Sequence, residues 1–429
     1  MKITVTIKKR SPMWPLRWLL IFLPFCLGTL NDFLGLPYAI RYVLDLVWIL
    51  QLLLFLYYRK RFTTLRIGKQ ARWALLFFIT TLAVFPVQYQ SVLYYLWGLR
   101  NNFRFYATFV GLAAFLKEDE IEDSIKWFDI LFWIDIAVSI VQHFRYGLRQ
   151  DLLGGLFGNV SGVNGFANIF FLIVLTRSIL LYLEKKEKLW LLLLKTTAAL
   201  FVAALAEMKF FFVEIILVIG LAVLFTNFTW RKLLVVIGGG VGIVVFTAVL
   251  TAVFPHWGDW FMLEWFWETA LSDVGYTGHG DLNRLTAITR INEMWLTEWP
   301  QRIFGMGLGN CETASYQILN TPFFRSHGDM HYTWISYAMI YLETGYVGLV
   351  FYLGFFVLVY FGARRIEQHS ADNLRTYCRI SRIISIMCLV ISVYNASLRA
   401  EAAYMAYFVM AIPFALDRQY RSVIRPEPR

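Results

Sequence analysis

Residues 325–362 read RSHGDMHYTWISYAMIYLETGYVGLVFYLGFFVLVYFG, and the two parts of this stretch obey different chemistry. The first part carries Arg325, His327, Asp329 and His331. The second, from Ile335 onward, carries one charged residue, Glu343. At about 1.5 Å of rise per helical residue, some 20 apolar residues cross the hydrocarbon core of a bilayer. The second part is longer than that and reads as a membrane-spanning helix with ionisable groups at its mouth.

Similar runs recur along the chain. Its 429 residues are 59% hydrophobic and 16% charged, with a mean hydropathy of +0.56. A soluble fold of this length does not bury so much apolar surface, and the alternation of a membrane β-barrel is missing. The expected fold is an all-α polytopic integral membrane protein with about twelve transmembrane helices. They are expected near 14–31, 38–58, 73–88, 91–116, 124–144, 162–183, 189–206, 209–226, 232–254, 331–361, 380–397 and 400–416. Residues 1–254 then hold spans one to nine, and 255–330 form one large extracytoplasmic loop with short helices before the tenth span. Residues 331–429 hold the last three spans and a tail. The basic opening MKITVTIKKRSP is followed by no small-residue cleavage site, so the first apolar run reads as a retained helix.

The net charge of +11 does not indicate nucleic acid. Its sources are short basic segments: YYRKRFTTLRIGKQAR, LEKKEK, TWRK, ARRIEQHSADNLRTYCRISR and the tail DRQYRSVIRPEPR. With twelve spans these fall on the side of the N-terminus, which the positive-inside rule makes cytoplasmic, as it does both termini. KEDEIED falls on the same side and reads as a solvated acidic loop. The cysteines, Cys26, Cys311, Cys378 and Cys388, show neither CxxC nor metal spacing, and no disulfide framework is expected.

In the large loop, Trp257, Trp260, Trp265 and Trp267 suit the headgroup level. Leu282, Leu285, Ile288 and Ile291 recur at helical spacing, as in a helix lying across the outer mouth. GMGLGN reads as a turn or a close approach of backbones.

Charges within or beside spans are costly and therefore candidates for function. Four groups stand out. Arg100 and Arg104 lie one turn apart in the fourth span. Glu207 and Lys209 form the hairpin between spans seven and eight, with Glu214 deeper. Arg284, Arg290, Arg302 and Arg325 populate the loop. His327, Asp329 and His331 complete the set. Cations gathered at headgroup depth imply an anionic ligand, and guanidinium forks suit phosphate or pyrophosphate. A neutral histidine there suits a general base acting on a hydroxyl. The plainer readings are snorkelling anchors for Arg41 and Arg399, a structural ion pair for Glu207 with Lys209, and packing or hydrogen bonding within the span for Glu343. His327 and His331 have i, i+4 spacing, but Gly328 stands where a zincin has Glu, so no metal site and no cofactor are expected.

RLTAITRINEMWLTEWPQRIFGMGLGN (284–310), HYTWISYAMIYLETGYVGL (331–349), DLLGGLFGNVSGVNGFA (151–167) and LAEMKFFFVEI (205–215) together resemble the superfamily of O-antigen ligases and Wzy-type O-antigen polymerases. The shared order is an outer basic hairpin, a loop arginine, a GxGxGN turn, a histidine and a span with ExGxxG. The chain departs from it where Tyr332 follows His331 and Gly328 follows His327, since asparagine is frequent there; the gap from His331 to Glu343 is about one helical turn longer, and Lys209 replaces an arginine. The resemblance covers roughly residues 90–415. It implies a GT-C-like fold in a bacterial cytoplasmic (inner) membrane. It also implies metal-independent, inverting glycosyl transfer from a polyprenyl-pyrophosphate-linked oligosaccharide at the outer face. His331 or His327 would serve the acceptor hydroxyl, with Arg290 or Arg284 as the essential loop arginine. Lys209, Glu207, Arg100, Arg104, Arg325 and Asp329 would contact pyrophosphate or glycan. Chain-length regulator and flippase proteins would be partners, beside the lipid bilayer. Acceptor choice divides polymerase from ligase, and polymerase is favoured. A flippase, a non-catalytic scaffold and a peptidoglycan-type polymerase with Asp281 as its essential aspartate are the other readings.

Overall fold

The computed structural model describes residues 13–58, 65–227, 229–253, 280–370 and 372–424. The four loop tryptophans lie outside the described residues. The described chain is helical, with no β-strand among its described residues. Nine helices precede the large loop: α1 (Trp14–Gly28), α2 (Val43–Tyr57), α3 (Gly68–Val84), α4 (Val92–Phe115), α5 (Glu118–Tyr146), α6 (Asn164–Leu183), α7 (Leu189–Leu205), α8 (Lys209–Phe225) and α9 (Trp230–Val253). Among the described residues three short helices follow, α10 (Ala287–Met294), α11 (Trp299–Phe304) and α12 (Pro322–His327). The chain ends with α13 (Ser336–Glu367), α14 (Asp372–Tyr394) and α15 (Ala403–Ile424). Among the described residues four helical segments are long and apolar enough to cross a membrane: Ala39–Tyr57, Asn164–Leu183, Ser336–Glu367 and Asp372–Tyr394. This is a helical membrane protein.

Burial sorts these helices. The apolar window of Asn164–Leu183 is 83% buried, that of Ala39–Tyr57 only 17%. A helix apolar all round is stable either among other helices or in lipid. Hence α6 is the centre of the bundle, whereas α2 turns Leu46, Leu50 and Leu53 outward and α3 turns Leu75, Leu76, Ile79 and Leu82 outward.

Polar contacts collect at two opposite ends. At one end Arg17 pairs with Glu120 at 2.5 Å, Arg379 with Glu184 at 3.0 Å and with Glu367 at 2.8 Å, and Arg231 donates to the Tyr182 carbonyl. At the other, Arg100 pairs with Asp45, Gln88 donates to the Gly305 carbonyl, and Asn164 donates to the Ala206 carbonyl. Carbonyls and charges at helix ends need partners that a helix cannot supply to itself, so the ends interlock through side chains.

Three expectations change. KEDEIED is not a solvated loop: Lys117 caps α5, the segment forms its first turn, and Glu120 is buried against Arg17. Acidic residues there complement the positive helix terminus. The helix expected as the tenth span starts at Ser336, because residues 328–334 form two short 3-10 turns that place His331 outside the helix. The helix expected from Leu282 onward begins at Ala287; Ile291 is buried but Leu285 is exposed.

Two loops dip into the bundle at the second end. Residues 305–312 lie against α13 and α4: Met306 and Gly307 donate to the Leu342 and Glu343 carbonyls at 2.8 and 2.9 Å. Gly345, at φ +62°, breaks the helical path of α13, and a side chain there would overlap the Ile303 carbonyl. Close approach of backbones explains the glycines. Glu343 receives the Cys311 N–H at 3.1 Å, which bears out its plainer, hydrogen-bonding reading. Residues 153–158 are held likewise by Gln142 and Asp135, which accept from Gly155 and Leu156.

Candidate functional site

The stretch that opened the sequence builds the centre of the site. α12 stops at His327, and the chain turns twice before α13. Leu282 N–H donates to the Met330 carbonyl at 3.1 Å, which lays residue 281 beside residue 331. Asp281 Oδ2 then lies 3.4 Å from His331 Nδ1. The aspartate side chain is 2% exposed and the histidine side chain 30%. A buried carboxylate thus orients an accessible imidazole. With Nδ1 donating to Asp281, Nε2 remains free to accept a proton. Trp334 covers one ring face, with centroids 3.8 Å apart and planes at 22°. His331 also holds a left-handed backbone, φ 54°.

Arg284 sits three residues beyond Asp281. Its Nε donates to the Tyr394 carbonyl at 2.6 Å, and its guanidinium lies 4.5 Å over the Tyr394 ring. Tyr394 stacks on Phe210 at 4.3 Å and 14°. The Tyr337 hydroxyl donates to the Arg284 carbonyl. Helices α8, α13 and α14 therefore fix this arginine together. Lys209, the residue before Phe210, lies within electrostatic reach of Glu207, Arg284 and Asp151. Gln150 Nε2 donates to Glu207 Oε1 at 3.0 Å, and Asn164 Nδ2 donates to Asp151 Oδ1 at 3.0 Å. The non-glycine residues with positive φ among the described residues are Gln150, Lys185, Glu207 and His331. Three of these belong to this one site. Such backbone costs about 1–3 kcal/mol each and concentrates where geometry serves function.

The remaining candidates are placed as follows. Arg290, on α10, is 35% exposed and makes a 3.3 Å surface pair with Glu293. Such exposed pairs are weak and hold Arg290 only loosely. His327 does not join His331: its Nδ1 lies 3.3 Å from the Phe323 carbonyl and its ring stacks on Phe323 at 4.6 Å. Since α12 ends between them, the two histidines do not share a helical face. Arg325 is exposed and donates to the Gln317 carbonyl at 3.3 Å, and Asp329 is exposed.

Arg100 and Arg104 lie apart from Lys209 and Arg284 and are engaged with carboxylates. Arg100 pairs with Asp45 at 2.9 Å, and Arg104 pairs with Glu401 at 2.9 Å and donates to the Arg399 carbonyl. Arg399 pairs with Glu312, and Arg41 donates to Ser315 at 2.7 Å. Arg399 also lies within electrostatic reach of Glu343. Arg100, Arg104 and Arg399 thus pair with Asp45, Glu401 and Glu312, with Arg41 and Glu343 alongside. Such a network ties loop to bundle. It also takes Arg41 and Arg399 beyond the role of snorkelling anchors.

Sequence reasoning had set Asp281 aside for a different chemistry and missed Asp151, Gln150, Asn164 and Tyr394. Asp281 and Arg284 share one short segment, but the partnership of Asp281 with His331 spans 50 positions and is set by packing alone. Around this pair, Leu282, Ala287, Ile291, Cys311, Tyr332 and Ile335 form a small separate core. Burial pushes the Cys311 thiol well above its ordinary range, so it is a packing residue rather than a nucleophile. No known family model matches the chain, and no curated protein matches it either.

Proposed function

We propose that this protein is a membrane glycosyltransferase that moves a glycan from a polyprenyl-pyrophosphate carrier to a sugar hydroxyl. The observation that carries the reading is the Asp281–His331 pair set beside Arg284 and Lys209 at one end of an apolar helix bundle. Residues at the mouth of spanning helices meet a lipid-linked substrate where its pyrophosphate lies.

In this reading twelve helices cross a bacterial inner membrane in a GT-C-like arrangement. Both termini are cytoplasmic and the His331 end faces outward. His331 Nε2 takes the proton of the acceptor hydroxyl. That oxygen attacks the anomeric carbon as the bond from carbon to pyrophosphate oxygen breaks, and single displacement inverts the configuration. Asp281 holds the imidazole in the accepting tautomer and stabilises the imidazolium that forms. Arg284, Arg290 and Lys209 hold the pyrophosphate and meet its growing charge. Side-chain cations fill this role without a metal. The favoured acceptor is a second lipid-linked repeat unit, as in a polysaccharide polymerase; a ligase hands the glycan to a different molecule. Chain-length regulator and flippase proteins are the partners this activity calls for.

The test is transfer by the purified protein from a synthetic polyprenyl-pyrophosphate oligosaccharide with chelator present. A ladder of repeats that vanishes in His331→Ala supports the polymerase; transfer only to a different supplied acceptor supports the ligase. The break of α13 at Gly345 favours one further reading, because interrupted helices line transport sites. Movement of the carrier across liposomes without bond formation would establish that transporter instead. Since Asp281 and His331 act as a pair, separate alanine variants do not isolate the peptidoglycan-type reading; donor choice does.

A further inference from the structure

Where α13 breaks at Gly345, a small cavity lies between the last turns of α3, the end of α11 with the loop behind it, and the break itself. It offers about 10 Å3, room for one water-sized particle. Its polar lining is Thr80 and Thr81 from α3, Gln88 from the segment after α3, and Glu343 and Thr344 from α13. Gly348 keeps the wall of α13 open, since a side chain there would overlap the Thr344 hydroxyl.

These five side chains have only lone pairs left to offer. The Thr80, Thr81 and Thr344 hydroxyls donate to the carbonyls of Leu76, Phe78 and Ile340. Thr81 also lies 3.3 Å from the Tyr95 hydroxyl, which leaves it one lone pair. Gln88 Nε2 donates to the Gly305 carbonyl, and its Oε1 is buried with no hydrogen-bond partner among the described residues. Glu343 is fully buried; its Oε1 accepts the Cys311 N–H, and its Oε2 is likewise without a hydrogen-bond partner among the described residues. A water molecule donates to two such oxygens and finds no hydrogen offered in return. A bare cation takes several oxygens at once.

Charge points the same way. α3 ends at Val84 and the first part of α13 ends at Thr344, so the cavity lies at the negative ends of two helices. Glu312, paired with Arg399, and Glu343 share that one guanidinium, two carboxylates to one cation. One carboxylate among neutral oxygens suits a single positive charge, whereas a calcium site gathers several carboxylates.

We propose that this cavity binds one sodium-sized monovalent cation, held by Glu343, Gln88, Thr80, Thr81 and Thr344. The ion joins α3 to α13 at its break, beside the loop that α13 holds through Met306 and Gly307, and so fixes the broken helix. The site stands apart from the His331 chemistry, and its test needs no glycosyl transfer.

The test uses the full chain in detergent and radioactive sodium. The wild type is expected to bind one ion per chain, displaced by unlabelled sodium and not by N-methylglucamine. Its unfolding midpoint is expected to rise by several degrees, saturably, when sodium chloride replaces N-methylglucamine chloride at equal ionic strength. Glu343→Gln should abolish both effects. Thr81→Val, which keeps the shape and removes one oxygen, should weaken sodium binding at least tenfold, and it carries the test if Glu343→Gln does not fold. No specific sodium binding by the folded wild type, the result expected if the cavity holds only water or Glu343 only a proton, overturns the proposal. Unchanged affinity in Thr81→Val overturns the site, and displacement by potassium as readily as by sodium overturns the assignment of the ion.

Discussion

Asp281→Asn removes one charge and leaves the side chain's shape, so its effect on transfer can be worked out. Asp281 is buried and its Oδ2 lies 3.4 Å from His331 Nδ1. A hydrogen bond to a charged group contributes about 1.5–3 kcal/mol. Strong charge-assisted bonds are nearer 2.7–2.9 Å, which places this one at the lower figure. About 1.5 kcal/mol corresponds to about a tenfold loss in rate. If the bond tightens when substrate binds, as such contacts do, the loss approaches about 100-fold. The asparagine amide also presents an N–H to Nδ1, which favours the tautomer whose Nε2 carries the proton. The assay is the single-turnover transfer rate from a lipid-linked donor, with thermal unfolding of each variant as a control. His331→Ala is expected to lose about 10²–10⁴-fold. The double variant should be no worse than His331→Ala, because the two residues act as one unit. Full activity in Asp281→Asn, or losses that add in the double variant, would refute the dyad.

Arg104→Leu should destabilise the protein by about 3 kcal/mol by leaving buried Glu401 with only its longer 3.9 Å pair to Arg100, and Arg104→Leu/Glu401→Leu should recover part of it; thermal unfolding in detergent reads both. Gly345→Ala places a β-carbon on the Ile303 carbonyl at a positive φ, so a clear drop in the unfolding midpoint or a loss of folded protein is expected. His327→Phe, which keeps the stack on Phe323 and gives up its contact with the Phe323 carbonyl, should leave transfer within a few-fold of wild type when product is quantified on gels. A soluble maleimide should label Cys311 only after denaturation, since the thiol is fully buried and held protonated; mass spectrometry of the labelled peptide checks this.

Some of this was legible in the residues and some was not. Ile335 onward announced a spanning helix because apolar character accumulates residue by residue and needs no distant partner. GMGLGN announced close backbones for the same reason: glycine is permissive wherever it stands, and the structure sets Gly309 where a side chain would overlap the Tyr94 carbonyl. The start of α13 was misplaced by five residues because Tyr332, Trp334 and Ile335 are apolar enough to extend the run. Their burial belongs to the small core around Ile291 and Cys311 rather than to the helix. KEDEIED failed as a loop for a parallel reason. Its acidic character suits either solvent or a helix N-terminus, and only Arg17, more than a hundred residues away in sequence, makes the second state the stable one.

By itself, then, the sequence determined a helical membrane protein with ionisable residues clustered at helix mouths, because both properties follow from local composition. Only the tertiary structure decided which of those residues meet. It joined Asp281 to His331 and set Arg284 over Tyr394. It paired Arg100 and Arg104 with Asp45 and Glu401, and it turned His327 onto Phe323. A charged side chain's role is fixed by the partner that desolvates with it, and in a bundle that partner comes from whichever helix packs alongside, not from the next turn of its own.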